Sequence, residues 1–408
     1  MKIEINTVKG FQDFLPPESI KRRIVKAIIE KNFQLYGFLP VETPIIEFDE
    51  LMIPETLPNE QEDEAVSDRF RLKDRGNRNL GLRYEFTFQL SRIFKENPNI
   101  KLPFKRYQIG EVFRDEPTGT GRFRQFTQCD ADIVGDSSIE ADIECLSLVS
   151  DILKELKIES EIQVNNRKLL YSIIESVEIK DIKGVMRELD KFEKIGEDNL
   201  KINLKKYADS NQIITIFKLL EKPLEFFKEN GFNGAEELEK LIDLGKLYNL
   251  KLNFSPFMIR GLGYYTGNIF EVKEKGKNTI AAGGRYDKLV GKYLNREISA
   301  VGISFGLERV TEISVVESKT PIKVMLISMN QDKEAISLAK NLRKSGIPCV
   351  IGFGQPGKRL EYANALGIPY SIFIGEEEIE KSKFKLKNMA LGEEKLLTEK
   401  QLIKKLSR

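Results

Sequence analysis

The sequence predicts an α+β chain: an antiparallel-sheet domain interrupted by a helical stretch, followed by a small α/β domain. Three observations predict it. Polar and apolar residues alternate along a long hairpin across residues 108–134. Residues from about 160 to 250 are rich in Lys, Glu, Leu and Ile at helical spacing. After the linker "VVESKTPIK" the pattern turns to strand–helix–strand–helix–strand, which marks a parallel α/β unit.

Composition narrows the chemistry before any motif does. The 408 residues are 31% charged and 41% hydrophobic, an ordinary balance for a globular chain with room for two or three domains. No run of about 18 apolar residues occurs, and "MKIEINTVKGFQDFLPP" lacks the apolar core of a signal peptide. A cytoplasmic protein without a membrane span is therefore expected. The three cysteines, Cys129, Cys145 and Cys349, form no CxxC pair, which argues against a disulfide framework or a zinc site. Histidine is absent altogether. That excludes Ser-His-Asp and Cys-His catalysis and His-ligated metals, leaving carboxylates, arginines, lysines and hydroxyls. From Pro321 onward 16 Lys and Arg stand against 10 Asp and Glu, so a basic end module follows a slightly acidic body. Such a module suits a polyanionic partner.

Taken in order, residues 17–37 carry apolar positions at helical spacing behind a Pro-rich start. "FLPVETPIIEF" reads as extended chain broken by prolines, and "PETLPNEQEDEAVSD" as an acidic loop. In "LGLRYEFTFQLSRIF" a strand over 82–88 is expected, with Arg83, Glu85 and Thr87 on its polar face. In the hairpin, "QIGEVFRDE" ascends, "PTGTG" turns and "RFRQFTQCDADIV" returns. On the return strand Arg122, Arg124, Phe126, Gln128, Asp130 and Asp132 share one face, while Phe123, Gln125, Thr127, Cys129, Ala131 and Ile133 share the more apolar other. Cations thus grade into carboxylates, an arrangement for a ligand with an anion at one end and an N–H donor at the other. The plain alternative is a solvated face with cross-strand ion pairs.

Residues 138–157 are expected to form an amphipathic helix. Beyond the helical stretch comes "FMIRGLGYYTGNIFEV", with Arg260, Tyr264 and Tyr265 among glycines, then "TIAAGGRYDKLV" and "ISAVGISFGLERV". In the last, Ala300, Gly302, Ser304 and Gly306 alternate on one strand face, smooth enough for a flat ring to approach the backbone. Arg309 follows one turn into a helix. "GFGQPGKR" imitates a P-loop, but Arg359 replaces the hydroxyl residue that would hold magnesium, so a basic turn is expected there. A final helix is expected over about 398–407.

Lined up, these stretches closely resemble the histidyl-tRNA synthetases, a family of class II aminoacyl-tRNA synthetases, over nearly the whole chain. "ETPIIE" is similar to motif 1, "FRDE…GRFRQF" to motif 2 and "AVGISFGLER" to motif 3; "RGLGYYTG" and "AAGGRYD" resemble the histidine-site signatures. "QCDADIVG" looks most like the archaeal and eukaryotic members. The resemblance implies a class II catalytic domain over 1–316, with a helical insertion at about 160–250, and an anticodon-binding α/β domain over 320–408. It implies ATP-dependent activation of L-histidine, transfer to tRNA(His), Mg2+ alongside ATP, and a homodimer through motif 1. Arg114 would meet the α-phosphate, Glu116 the adenine amino group, Phe126 the adenine ring and Arg309 the γ-phosphate. Arg122 is assigned to ATP, with the tRNA acceptor end as its alternative. Arg260 would bridge the α-phosphate and the histidine carboxylate in place of a metal; Glu85, Thr87 and Gln128 would hold the α-amino group; Asp132 and Tyr265 would face the imidazole. Gly263 stands where the familiar signature has aspartate. Asp130 is expected to pair with an arginine on the strand face, Tyr264 to pack, and Arg309 has Glu308 as a possible neighbour. The regulatory subunit of ATP phosphoribosyltransferase resembles the same core but lacks the C-terminal domain, which this chain has.

Overall fold

The computed structural model describes residues 5–52, 68–119, 121–259, 263–275 and 278–407. The chain divides into two compact units, one built mainly on Arg22–Val316, the other on Glu317–Arg408 with Phe14–Lys21. The strands, numbered along the chain, are β1 (Leu39–Pro40), β2 (Ile46–Phe48), β3 (Arg71–Lys73), β4 (Asn79–Leu82), β5 (Phe104–Phe113), β6 (Gln125–Val134), β7 (Ser160–Asn166), β8 (Leu252–Phe254), β9 (Asn268–Glu274), β10 (Thr279–Arg285) and β11 (Ala300–Gly306) in the larger unit. Eight of them form one sheet in the order β1-β5-β6-β11-β10-β9-β7-β8; β2, β4 and β3 form a small second sheet. All neighbours in the large sheet are antiparallel except the outermost pairs, β1 with β5 and β7 with β8.

The two faces of this sheet follow from the alternation in the sequence. Cys129, Ala131 and Ile133 of β6 and Val301, Ile303 and Phe305 of β11 point to the core. The helix Ile139–Glu155 crosses β6, β10 and β11 on that side and buries Ile143, Leu146, Val149 and Ile152. The helix Glu18–Leu35 sends Phe33 to within 5.3 Å of the Tyr107 ring and 6.3 Å of Phe305. Burial of this much aromatic and aliphatic surface is the main force holding the hairpin flat against its helices. The opposite face keeps the polar residues. There the register sets out rows across the strands: Arg106–Asp132–Gly302–Gly284, then Gln108–Asp130–Ser304–Ala282, then Gly110–Gln128–Gly306.

Two expectations are corrected here. The segment 82–88 is not a strand: β4 ends at Leu82, and a helix starts at Phe88 and runs to Glu96. Every residue from Arg83 to Ser91 is buried or nearly so, so apolar alternation there does not sort one face from another. Residues 160–166 belong to the main sheet as β7, and the helices of the insertion run from Arg167 to Leu247. In the smaller unit β12 (Val324–Ser328), β13 (Cys349–Gly352) and β14 (Tyr370–Ile374) are parallel, as the sequence predicts. Two further strands, β15 (Phe384–Asn388) and β16 (Glu394–Leu397), add on antiparallel, so the sheet is mixed, in the order β13-β12-β14-β15-β16. The last helix, Glu399–Leu406, is capped by Thr398 with Gln401 reaching back, a full capping box.

Candidate active site

The hairpin end of the polar face is cationic. Arg114 follows β5, and its guanidinium lies 4.3 Å from the Tyr84 ring centre and 5.1 Å from that of Phe126. Two ring faces and a bond from Nε to the Tyr84 carbonyl at 3.4 Å fix its plane. Its nearest carboxylate, Glu116, stands off at 3.8 Å, so most of its charge remains available to a ligand. Glu116 in turn lies 3.5 Å from the Tyr84 hydroxyl. Arg124 is occupied, pairing with Asp115 at 3.1 Å and donating to the Glu116 carbonyl. Arg122 is exposed in the turn.

Arg309 does not pair with Glu308. The Glu308 carboxylate instead accepts from the Thr127 backbone N–H at 3.0 and 3.1 Å and from Arg22 at 2.8 Å, tying the helix Leu307–Ile313 to β6. Arg309 is left to reach the hairpin turn: a Cβ on Gly121 would lie 3.3 Å from its Nη1. Its Nε has no hydrogen-bond partner among the described residues. Gly121 sits at φ +69°, a left-handed conformation that glycine adopts without strain.

The far end of the same face is acidic and buried. Glu85 is 4% exposed, and Asp130 and Asp132 are 5% and 3% exposed. Asp132 is held from two sides, by Arg106 at 2.7 Å and by the Tyr286 hydroxyl. Arg106 is itself wholly buried, with Nη2 also 3.4 Å from the Phe86 carbonyl. Burial pushes the Glu85 carboxyl up to about 7 and the Asp130 carboxyl up to about 7, against the pull of Arg114 on the first and Arg106 on the second. Burial raises Asp132 as well, and Arg106 and Tyr286 work against it. Tyr264 donates to Glu85 Oε2 at 3.1 Å, so it joins the site rather than serving only as packing; Thr87 approaches the same carboxylate. Gln128 gives its amide N–H to Ser304 Oγ at 3.1 Å. Tyr265 is buried and lies against Gly284, at the end of the row that holds Asp132.

The glycines are less open than the sequence suggests. A Cβ at Gly302 would collide with the Asp132 carboxylate, and one at Gly110 would lie 2.8 Å from Arg83 Nη2. Gly306, beside Gln128, meets only Arg309 Cβ at 3.9 Å and is where a flat ring can approach the sheet. Arg106 and Tyr286 are site residues that the motifs do not single out; counting residues back from the hairpin turn puts Arg106 opposite Asp132, and leaves Gln108, not an arginine, opposite Asp130. Arg260, a central candidate, lies outside the described residues, as does most of the acidic loop near residue 60.

An antiparallel sheet that carries arginines at one end of its polar face and buried carboxylates at the other, with a small-residue strand between, is the catalytic core of a class II aminoacyl-tRNA synthetase. A family model for histidyl-tRNA synthetase matches residues 10–310, and one for an anticodon-binding domain matches residues 322–408. A histidine–tRNA ligase of Bacillus cereus is 37% identical, with 96% of this chain and 95% of the relative covered. That of Helicobacter pylori is 35% identical over 94% of each. The histidyl-tRNA synthetase structure from Nostoc superposes with a TM-score of 0.85 at 28% identity, covering the whole of both chains. A Bacillus halodurans structure titled as an ATP phosphoribosyltransferase regulatory subunit/histidyl-tRNA synthetase gives 0.77 at 19% identity over 91% of this chain and 99% of that one, a likeness of fold alone. The chain belongs to the histidyl-tRNA synthetase family. It is an ATP-dependent ligase that activates histidine and charges tRNA with it.

Proposed function

We propose that Arg114 and Arg309 hold the phosphates of ATP, with Arg122 closing over them from the turn, while Glu116 reads the adenine amino group and Phe126 stacks on the ring. Glu85, Thr87 and Gln128 take the α-ammonium of histidine, and Asp132 and Tyr265 line the imidazole end. Arg260 bridges the α-phosphate and the substrate carboxylate. The observation that carries this reading is the gradient on one sheet face: Arg114, with Glu116 standing off at 3.8 Å, and Arg309, whose Nε has no hydrogen-bond partner among the described residues, stand at one end, and Glu85 Oε1 and Gln128 Oε1, buried acceptors without a partner among the described residues, stand at the other. In this arrangement a histidine carboxylate oxygen attacks the α-phosphorus in line and pyrophosphate leaves. The nucleophile is already ionised, so the step needs positioning and charge neutralisation rather than a general base. In the second step a terminal ribose hydroxyl of the tRNA attacks the acyl carbon, AMP leaves, and its phosphate can take the proton. No enzyme histidine is required, in keeping with a chain that has none.

Histidine-dependent ATP–pyrophosphate exchange without tRNA tests the assignment. Exchange is expected with histidine alone among the amino acids and is expected to vanish in Arg260→Ala; a variant exchanging at the parent rate removes Arg260 from the site.

Among the described residues no cluster of three acidic or cysteine side chains could hold a metal ion. Mg2+ enters this reading as the counter-ion of the substrate ATP. The domain division adopted is a catalytic domain over 1–316 and an anticodon-binding domain over 320–408, in step with the two family matches. Homodimerisation is inferred from motif 1, where Leu39, Ile45, Ile46 and Phe48 are exposed within ten residues. Large apolar side chains crowded this closely on a surface favour a protein partner. Sedimentation equilibrium at twice the 46.8 kDa chain mass is expected; a monomer at micromolar concentration rejects it. No described helix is long and apolar enough to cross a membrane; the cytoplasm is proposed as the place of action because tRNA and ATP are its substrates.

A further inference from the structure

The pairing of β6 with β11 ends where Gln128 faces Gly306. The next residue back along β6, Thr127, would face Leu307, which already belongs to the helix Leu307–Ile313. A side chain completes the ladder instead. Both carboxylate oxygens of Glu308 accept the Thr127 N–H, at 3.0 and 3.1 Å. Arg22, from the helix Glu18–Leu35, closes the arrangement: its Nη1 lies 2.8 Å from Glu308 Oε1, and its Nη2 donates to Thr127 Oγ1 at 3.1 Å. The planar guanidinium thus forks across both halves of the tie, a geometry that a point charge does not reproduce. The Arg22 and Glu308 side chains are only 13% and 10% exposed, so solvent screens the pair little.

The geometry points to Arg22 as a positioning residue for ATP: it cancels the charge of Glu308 and holds that carboxylate on β6, so that Phe126 and Arg309 share one frame and no uncompensated anion stands beside the phosphates. This rests on the proposed placing of the phosphates at Arg309 and of the adenine ring on Phe126. Those two residues each adjoin one half of the tie, since Phe126 precedes Thr127 and Arg309 follows Glu308. One carboxylate therefore sets the ring platform and the phosphate-directed cation against each other. Its charge matters as much as its bonds. In a partly buried pocket a bare carboxylate next to Arg309 would repel the phosphates over several ångströms. Glu312 sharpens this: one turn along the same helix, its Oε2 approaches the Gly121 position that Arg309 Nη1 also reaches. The phosphate end thus has one carboxylate near its arginine before Glu308 is counted. No other cation takes the place of Arg22. Arg124 is committed to Asp115 and Arg114 lies against the Tyr84 and Phe126 rings. Lys26, one turn along the first helix, is exposed, and Arg22 is the one cation paired with Glu308 among the described residues.

The test is ATP–pyrophosphate exchange with histidine on Arg22→Met, Arg22→Lys, the double variant Arg22→Met with Glu308→Gln, and Arg309→Ala, with thermal melts on the same preparations. In Arg22→Met the KM for ATP is expected to rise about 10-fold or more, while the KM for histidine stays within about twofold of the parent. Arg22→Lys keeps the charge without the fork and is expected to stay within a few-fold of the parent. Adding Glu308→Gln to Arg22→Met removes the uncompensated charge but leaves an acceptor for the Thr127 N–H, and most of the lost ATP affinity is expected to return. A clamp that acts only on the fold gives a different pattern, because removing a second member of it does not restore function. A parent-like KM for ATP in Arg22→Met overturns the proposal. So does an equal rise in both KM values, or a rise that Glu308→Gln fails to reverse. Should Arg22→Met not fold, Arg22→Gln, which retains a donor but no charge, is read in its place with the same expectations. Arg309→Ala separates this inference from the reading beneath it. An unaltered KM for ATP there takes the phosphates away from Arg309, and the site reading falls; a raised KM there beside an insensitive Arg22→Met sinks this inference alone.

Discussion

Replacing Arg114 with alanine is expected to lower histidine-dependent exchange by about 10²–10³-fold, the loss typical of removing one preorganised group that stabilises charge developing in a transition state. The size of the effect comes from how this guanidinium is held. The rings of Tyr84 and Phe126 and the Tyr84 carbonyl hold its plane, and its nearest carboxylate stands 3.8 Å away. No rearrangement is needed when the α-phosphate gains charge. Arg114→Lys is expected to recover little, because a lysine ammonium can neither stack flat between rings nor present two parallel N–H groups. The side chain is about one-quarter exposed, so melting temperature should barely move. Steady-state exchange kinetics with thermal melts on the same preparations check both halves, and exchange within a few-fold of the parent would refute the role.

A loss of stability, not of chemistry, is expected first from Arg106→Met. The change leaves Asp132 buried without its cation, and breaking one side of a buried pair typically costs about 3–5 kcal/mol. Asp132 is 3% exposed and cannot turn to water for help. Adding Asp132→Asn removes the stranded charge, and most of the lost stability is expected to return. Chemical denaturation of the parent, the single variant and the double variant measures this. A single variant as stable as the parent means the pair does not hold the sheet face together.

The parts of the fold legible in the sequence are those whose two faces differ in chemistry. In the hairpin and in the strand Ala300–Gly306 apolar residues alternate with polar or small ones, so the period survives in the residue pattern even though both faces are largely buried. The segment 83–91 is buried on all sides, and its alternation of aromatic residues misled. β15 and β16 were missed for the opposite reason. "KFKLKN" and "EEKLL" form the charged margin of a sheet, and lysines that discourage further strands from pairing also hide the strand from a search for apolar runs. In the site, the face shared by Phe126, Gln128, Asp130 and Asp132 was readable, but which carboxylate is spoken for was not. That depends on Arg106 and Tyr286, residues distant in sequence, and on a register that only the paired strands display.

The bare acceptors Glu85 Oε1, Gln128 Oε1 and Asp130 Oδ1 have a consequence for the life of the protein in a cell. Buried oxygens without partners cost free energy in the empty enzyme, and a ligand that satisfies them adds stability by mass action. Opening of the sheet, and with it proteolytic turnover, is therefore slowest when the amino acid is plentiful. During amino-acid starvation the empty enzyme is expected to be the easier substrate for proteolysis, a difference that limited proteolysis with and without histidine measures.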